Sequence, residues 1–260
     1  MKTKIKKLLL QYCSNAFNYF FVKTKLYNPD GVRVLCYHNI SLDNAKEDIF
    51  TVSLEEFKKQ MQFLYKERYS VFSMEEFLNI HDLNKKYPKK SIVLTFDDGF
   101  KSFYNLVLPI LRKYNYPATI FITTDFINTN ETYMTWEEVK KCANDKLINV
   151  GGHGVSHIKL TEVPFDITYK EIIYSKEILE NILQKQIKVF AYPYGVYNNM
   201  IRNLVQKLEF KGAFTTKFGI NSYTTDPYSF KRITIFNSDF LSVFKTKLAG
   251  AYDWRGWLNF

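Results

Sequence analysis

Ser91-Ile-Val-Leu-Thr-Phe-Asp97-Asp98-Gly99 is the stretch on which the reading of the fold turns. Its first six residues are mostly apolar or β-branched, and Lys89-Lys90 precede them, so they read as a strand buried on both faces. The strand stops abruptly in two acids and a glycine. Adjacent carboxylates repel, and beside a core they are costly unless a cation or a proton separates them. Their side chains also point differently, so one can bind a metal while the other faces a water. The alternative is a surface turn in which Asp-Gly merely ends the strand.

Working outward, further short apolar runs predict strands at Val32–Tyr37, Ala118–Ile122, Ile148–Val150, Lys188–Ala191, Gly212–Thr215 and Arg232–Phe236. Helices are predicted between them near 54–67, 74–81, 101–115, 136–143, 167–185, 198–208 and 238–248. Ser53-x-x-Glu56, Ser73-x-x-Glu76 and Thr135-x-x-Glu138 have the capping-box pattern. In the helix at 167–185, Ile172/Ile173, Ile178/Leu179 and Ile182/Leu183 form an apolar stripe opposite a charged face. Strand–helix alternation over the whole chain predicts a parallel sheet, open or closed into a barrel. Chemistry in such folds collects at the carboxyl ends of strands.

Two more motifs fall at predicted strand ends. Gly151-Gly152-His153-Gly154-Val155-Ser156-His157 holds two of the four His in the chain. Imidazoles four apart share one face of a helical turn and can reach one ion; with an acid they make a two-His, one-carboxylate site. A satisfied core or surface pair is the plainer alternative. In Phe190-Ala191-Tyr192-Pro193-Tyr194-Gly195, Pro193 and Gly195 fix a turn that can aim the Tyr194 amide at a developing oxyanion. By itself that motif could be only a turn.

Taken together, Thr95–Gly99, His153–His157 and Tyr192–Gly195 resemble the TFDDG, HxxxH and Pro-Tyr-Gly motifs of the polysaccharide deacetylases, carbohydrate esterase family 4. The resemblance runs over roughly residues 32–248 and includes Phe103 to Ile122. It implies an α/β fold, a distorted (β/α) barrel of the polysaccharide deacetylase type. It also implies that Asp97 is the general base, that Asp98, His153 and His157 hold a divalent metal, and that the Tyr194 amide serves the oxyanion hole. Zinc is the first choice of metal, other divalent transition metals being possible. The physics agrees: a divalent ion would polarise an acetamide carbonyl and acidify a water whose proton a carboxylate removes.

Two departures stand out. Many members carry an Arg in the third motif that pairs with the base, where this chain has Ala191, and a C-terminal His as general acid, whereas no His follows His157. Arg232, in Lys231-Arg-Ile-Thr-Ile, is therefore expected to pair with Asp97. His38, after Val32–Tyr37, is similar to the Tyr-His of exopolysaccharide deacetylases with circularly permuted motif order, and is expected to supply the proton to the leaving amine unless a water or a Tyr does. His81, at a polar helix end, is given no function.

Composition sets the partners. The 260 residues suit one α/β domain, and 23 Phe with 19 Tyr suit a groove that stacks on sugar rings, although most will be core. The formal net charge is +10, yet only six basic residues are Arg, so an anionic membrane or phosphorylated glycan is favoured and no nucleic-acid partner is expected. Cys13, Cys36 and Cys142 lack a CxxC and give no disulfide framework and no thiolate zinc site; a reducing compartment is the easier reading. The N-terminus begins like a signal peptide, but polar residues from Gln11 break the apolar run, and it is too short to span a bilayer. Its basic and aromatic residues would lie on a membrane or pack on the domain. The expected organisation is residues 1–30 as a membrane-peripheral segment and 31–260 as the catalytic domain. The expected location is the cytoplasm, at the inner membrane, with an exported polymer deacetylase retaining an N-terminal anchor as the near rival, and the expected activity is N-deacetylation of a glycan or lipid-linked sugar. The alternatives are a same-fold amidase on a non-sugar substrate and a catalytically dead carbohydrate-binding protein.

Overall fold

The computed structural model describes residue 16 and residues 30–43 and 48–257. The N-terminal segment on which membrane contact was expected lies almost wholly outside the described residues. In chain order the first half is β1 (Val32–Tyr37), β2 (Asn39–Ser41), β3 (Thr51–Ser53), α1 (Leu54–Lys66), β4 (Ser70–Val71), α2 (Met74–Asp82), β5 (Ser91–Phe96) and α3 (Leu108–Tyr114). There follow β6 (Ala118–Ile122), α4 (Trp136–Ala143), β7 (Ile148–Gly152), α5 (Phe165–Leu183), β8 (Val189–Ala191), α6 (Asn199–Lys207), β9 (Gly212–Phe214), β10 (Ile233–Thr234) and α7 (Leu241–Leu248).

The main sheet is parallel, in the order β10-β1-β5-β6-β7-β8-β9, with β4 beside β5. The curl closes through one segment. Phe230 bridges Phe214 of β9, and Ile233 and Thr234 pair with Leu35 and Cys36 of β1. The result is the distorted parallel barrel.

Alternation along the strands decides what faces the barrel axis. Leu35, Tyr37, Ile92, Leu94, Phe96, Ile120, Ile122 and Phe190 join the larger core under the helices. Val34, Val93, Phe121, Val189, Ala191 and Phe214 form a second cluster inside. Continuing that inner register two residues at a time carries β1 to Cys36 and His38, and β5 to Thr95 and Asp97. The chemistry-bearing residues are thus the top layer of the barrel interior, at the carboxyl ends of the strands.

Local differences from the sequence reading have physical causes. Residues 101–115 are not one α-helix: Phe103–Val107 is a π-helical turn in which the Leu108 N–H reaches Phe103 O. Pro109, in the first turn of α3, has no N–H and crowds the carbonyl four residues back, and the wider turn relieves that. Ser73 and Thr135 close full capping boxes, whereas Ser53 caps α1 without reciprocation, because Glu56 Oε2 accepts instead from Leu241 N–H at 3.0 Å. The buried stripe of α5 is Thr168, Glu171, Ile172, Ser175, Leu179 and Leu183, more polar than the Ile/Leu pairs suggest. Among the described residues no helix is long and apolar enough to cross a membrane.

Candidate active site

Arg232 enters the barrel from just before β10 and is fully buried. Its Nη1 and Nη2 donate to Asp97 Oδ1 and Oδ2 at 2.7 and 2.8 Å, and its Nε donates to Thr215 O at 2.8 Å. The guanidinium lies over Phe121, 5.6 Å from the ring centre. Gly151 makes room for that ring, since a Cβ there would stand 2.6 Å from it. The structure therefore pairs Asp97 with an Arg from another strand, where Ala191 has no charge to offer. Burial works against ionisation of Asp97, but the charges of Arg232, then His153 and His38, hold its carboxyl well below the usual range.

Asp98 sits next door in the left-handed region (φ 75°), which turns its side chain away from Asp97. Its Oδ1 lies 3.5 Å from His153 Nε2 and 3.4 Å from His157 Nε2, and is buried without a hydrogen-bond partner. Burial first, then the charge of Asp97, pushes the Asp98 carboxyl up to about 7. Burial likewise pushes His153 down to about 3 and lowers His157. A carboxyl pushed up beside two imidazoles pushed down is a site short of positive charge. N and O ligands about 2.1 Å from a tetrahedral ion stand about 3.4 Å apart, which matches the distance of Asp98 Oδ1 from each of the two imidazole nitrogens. His153 Nδ1 is 2.7 Å from Ala191 O; donation there leaves the Nε2 lone pair facing Asp98. The residues fit a divalent cation.

His157 does not reach the site along a helical turn. Residues 153–159 form a loop, with Gly154 and His157 at φ 82° and 57°. Glu171 of α5 holds it, accepting from Val155 N–H (2.9 Å), Ser156 N–H (3.0 Å) and Ser156 Oγ–H (2.6 Å). The left-handed φ at Gly154 and His157 breaks the helical path, and the Glu171 carboxylate holds the amides between the two imidazoles in the loop. The His157 ring then rests between Phe126 and Tyr194, at 5.9 and 4.6 Å.

Tyr194 has φ 58°, in a turn pinned by Gly195, where a Cβ would come within 2.2 Å of Thr216 Oγ1. Its side chain is 52% exposed beside the triad. His38 Nε2 is 4.0 Å from Asp97 Oδ2, the oxygen that also faces His153 Nε2 at 3.8 Å, and its ring packs on Phe50. Burial lowers the His38 pKa, against the opposing pull of Asp97. All seven residues singled out in the sequence are thus brought to one rim. His81 is not among them: it is buried in the last turn of α2, edge-on to Phe230, with Nε2 2.7 Å from Thr225 O.

Sequence reasoning missed Cys36, whose Sγ–H donates to Asp97 Oδ2 at 3.4 Å, and Glu171. Cys36 had a signal, since it lies two residues before His38 on the same face. Glu171 had one too, as an acid in step with the buried positions Thr168 and Ser175. Glu171→Ala should leave the His153–His157 loop without its acceptor and weaken metal binding by about ten- to a hundredfold. Competition against a chelator measures this, and unchanged affinity would exclude a positioning role.

A model of the polysaccharide deacetylase family matches residues 84–213, half of the chain. The chain belongs to the polysaccharide deacetylase family. It is 26% identical over 244 residues to the poly-β-1,6-N-acetyl-D-glucosamine N-deacetylase of Staphylococcus epidermidis, covering 84% of each chain. The enzyme of the same name from Escherichia coli K12 is 24% identical over 261 residues, which is 84% of this chain and 38% of that protein. Among solved structures, the Streptococcus pyogenes deacetylase PplD in complex with acetate superposes with a TM-score of 0.77 at 28% identity, covering 85% of this chain and 99% of that one. Metal dependence is a property of this family.

Proposed function

We propose that this family member is a metal-dependent hydrolase that removes the N-acetyl group from an amino sugar within a glycan, an N-acetylglucosamine polymer being the first candidate. The observation that carries this is the pairing of two adjacent carboxylates with opposite environments: Asp97 held ionised by Arg232, and Asp98 buried and unpaired beside two imidazoles. The poly-β-1,6-N-acetyl-D-glucosamine on which the two relatives act supports the polymer.

Asp98, His153 and His157 would hold the cation, with zinc suited to this donor set. When bound there it would polarise the acetamide carbonyl and acidify the attacking water. Asp97 takes the proton of that water on Oδ2, the oxygen turned toward the triad. The Tyr194 amide, presented by the turn at Pro193–Gly195, supports the developing oxyanion. His38 gives the proton to the departing amine. Because burial keeps its resting imidazole neutral, the proton it delivers is one gained during the reaction, and Asp97 Oδ2 is the adjacent source.

Arg232 sets the base. Arg232→Ala removes the charge that depresses Asp97, so the acid limb of the kcat/KM profile should move to higher pH. It also leaves a buried carboxylate unpaired, at a cost of about 3–5 kcal/mol in stability. A profile that does not move would detach Arg232 from the base.

The substrate class is tested by following amine formation on N-acetylated polymers, lipid-linked N-acetylated sugars and non-sugar acetamides. Activity confined to the last group would make the protein an amidase of the same fold, and none at all a binding protein. Residues 1–30 support contact with an anionic membrane through their charge and aromatics. The full chain should then sediment with anionic vesicles, less so at high salt, and a chain that stays in solution would refute the contact.

A further inference from the structure

We propose that the pocket carries a second cation site, formed by Cys36, His38 and Asp97, which takes a thiophilic divalent metal such as zinc when it is in excess and thereby switches the enzyme off. The inference rests on the reading of Asp98, His153 and His157 as the catalytic metal site. A ligand atom from each of Cys36, His38 and Asp97 lies within 4.8 Å of the other two, as do those of Asp98, His153 and His157. Cys36 Sγ is 3.4 Å and His38 Nε2 4.0 Å from one oxygen, Asp97 Oδ2. The fold makes the cluster: Cys36 and His38 are successive inward positions at the end of β1, and the β1–β5 register sets Cys36 beside Thr95, two residues before Asp97. Thiolate, imidazole and carboxylate are donors that zinc accepts together, whereas manganese and magnesium prefer oxygen.

The same surroundings make this the weaker site. Arg232 already holds both Asp97 oxygens and places a positive charge beside the cluster. Binding must also release the thiol proton to solvent as a zinc–sulfur bond replaces the S–H bond, and burial resists that ionisation. The first site therefore fills first. Once the second fills, the base and the proton donor are both engaged, so the second metal inhibits rather than activates.

The test uses the full chain stripped by chelation and titrated with Zn2+, Mn2+ or Co2+. Bound metal is counted by equilibrium dialysis, the deacetylation rate is followed, and thiolate-to-cobalt charge transfer is read in the near ultraviolet. Two zinc ions should bind; activity should rise with the first and fall about a hundredfold or more with the second, since acid–base catalysis is worth about that much. Manganese should stop at one ion without inhibition. Cys36→Ala and Cys36→Ser should each bind a single zinc, lack the charge-transfer band and escape zinc inhibition relative to their own uninhibited rates. A wild-type protein active with one zinc and unable to bind another overturns the inference, as do Cys36 variants that bind and respond like wild type. Binding of no zinc at all would overturn the catalytic-site reading and this inference with it.

Discussion

Alanine at Asp98, His153 or His157 should strip the protein of its divalent metal and lower turnover by about three orders of magnitude or more, because the polarising charge is worth several kcal/mol and each 1.36 kcal/mol is tenfold in rate. Asp97→Asn should keep the metal and lose turnover, since it removes a base and leaves all three donors in place. The fold should survive in each case, because the strands beneath these residues are packed independently of them. The metal-free wild type should carry a pH signature of Asp98. Its folded pKa, pushed up to about 7, lies above the ordinary carboxylate value, so its protonated form is favoured by folding. That contribution is fully present below the unfolded pKa near about 4 and is lost as pH rises through the folded value. His153 and His157, whose imidazoles burial holds neutral, work the opposite way over the same range, so the Asp98 contribution is read as a difference: chelated wild type should lose thermal stability relative to Asp98→Ala as pH rises through that window. Elemental analysis finding full occupancy in all three alanine variants would end the assignment.

His38→Ala should retain metal and substrate binding yet lose about two to four orders of magnitude in turnover, the range for a positioned acid or base. An amide nitrogen expelled without a proton is a very poor leaving group, and the alternatives around the triad are already engaged. His153 commits one nitrogen to Ala191 O and turns the other toward Asp98, and His157 faces Asp98 as well. His81 is bonded to Thr225 O, away from this layer. His38 alone among the imidazoles combines nearness to Asp97 Oδ2 with an Nδ1 that has no hydrogen-bond partner among the described residues. A nearly fully active His38→Ala enzyme would move the proton transfer to a water or to a Tyr.

The strand-end logic made most of the site legible in advance. Ser91–Phe96 reads as buried on both faces, and the observed strand has those bounds, which puts Asp97 and Asp98 at a barrel rim. The partnership of Arg232 with Asp97 could be expected because Ala191 left a buried carboxylate without a cation. The family resemblance marked the empty place, and charge balance then asked for another cation. The geometry of the second histidine was not legible. A spacing of four suggests a helical turn, but Glu171, fourteen residues after His157, captures the intervening amides and imposes a loop. That contact depends on how α5 packs against β7, which no local pattern encodes. The short strands β2, β3 and β4 were missed for a similar reason, since strands of two or three residues carry too little alternation to register. The capping boxes show the same limit: Ser53 has the pattern, but a tertiary partner, Leu241 N–H, claims its Glu56.

Acetate release from an N-acetylglucosamine polymer by the chelated full chain, before and after zinc is restored, tests the central claim most directly. No acetate before and stoichiometric acetate and free amine afterwards, with Asp97→Asn silent in both states, is the result expected of a base working beside a metal held by Asp98, His153 and His157. Release that is indifferent to chelation, or that persists undiminished in Asp97→Asn, would contradict it.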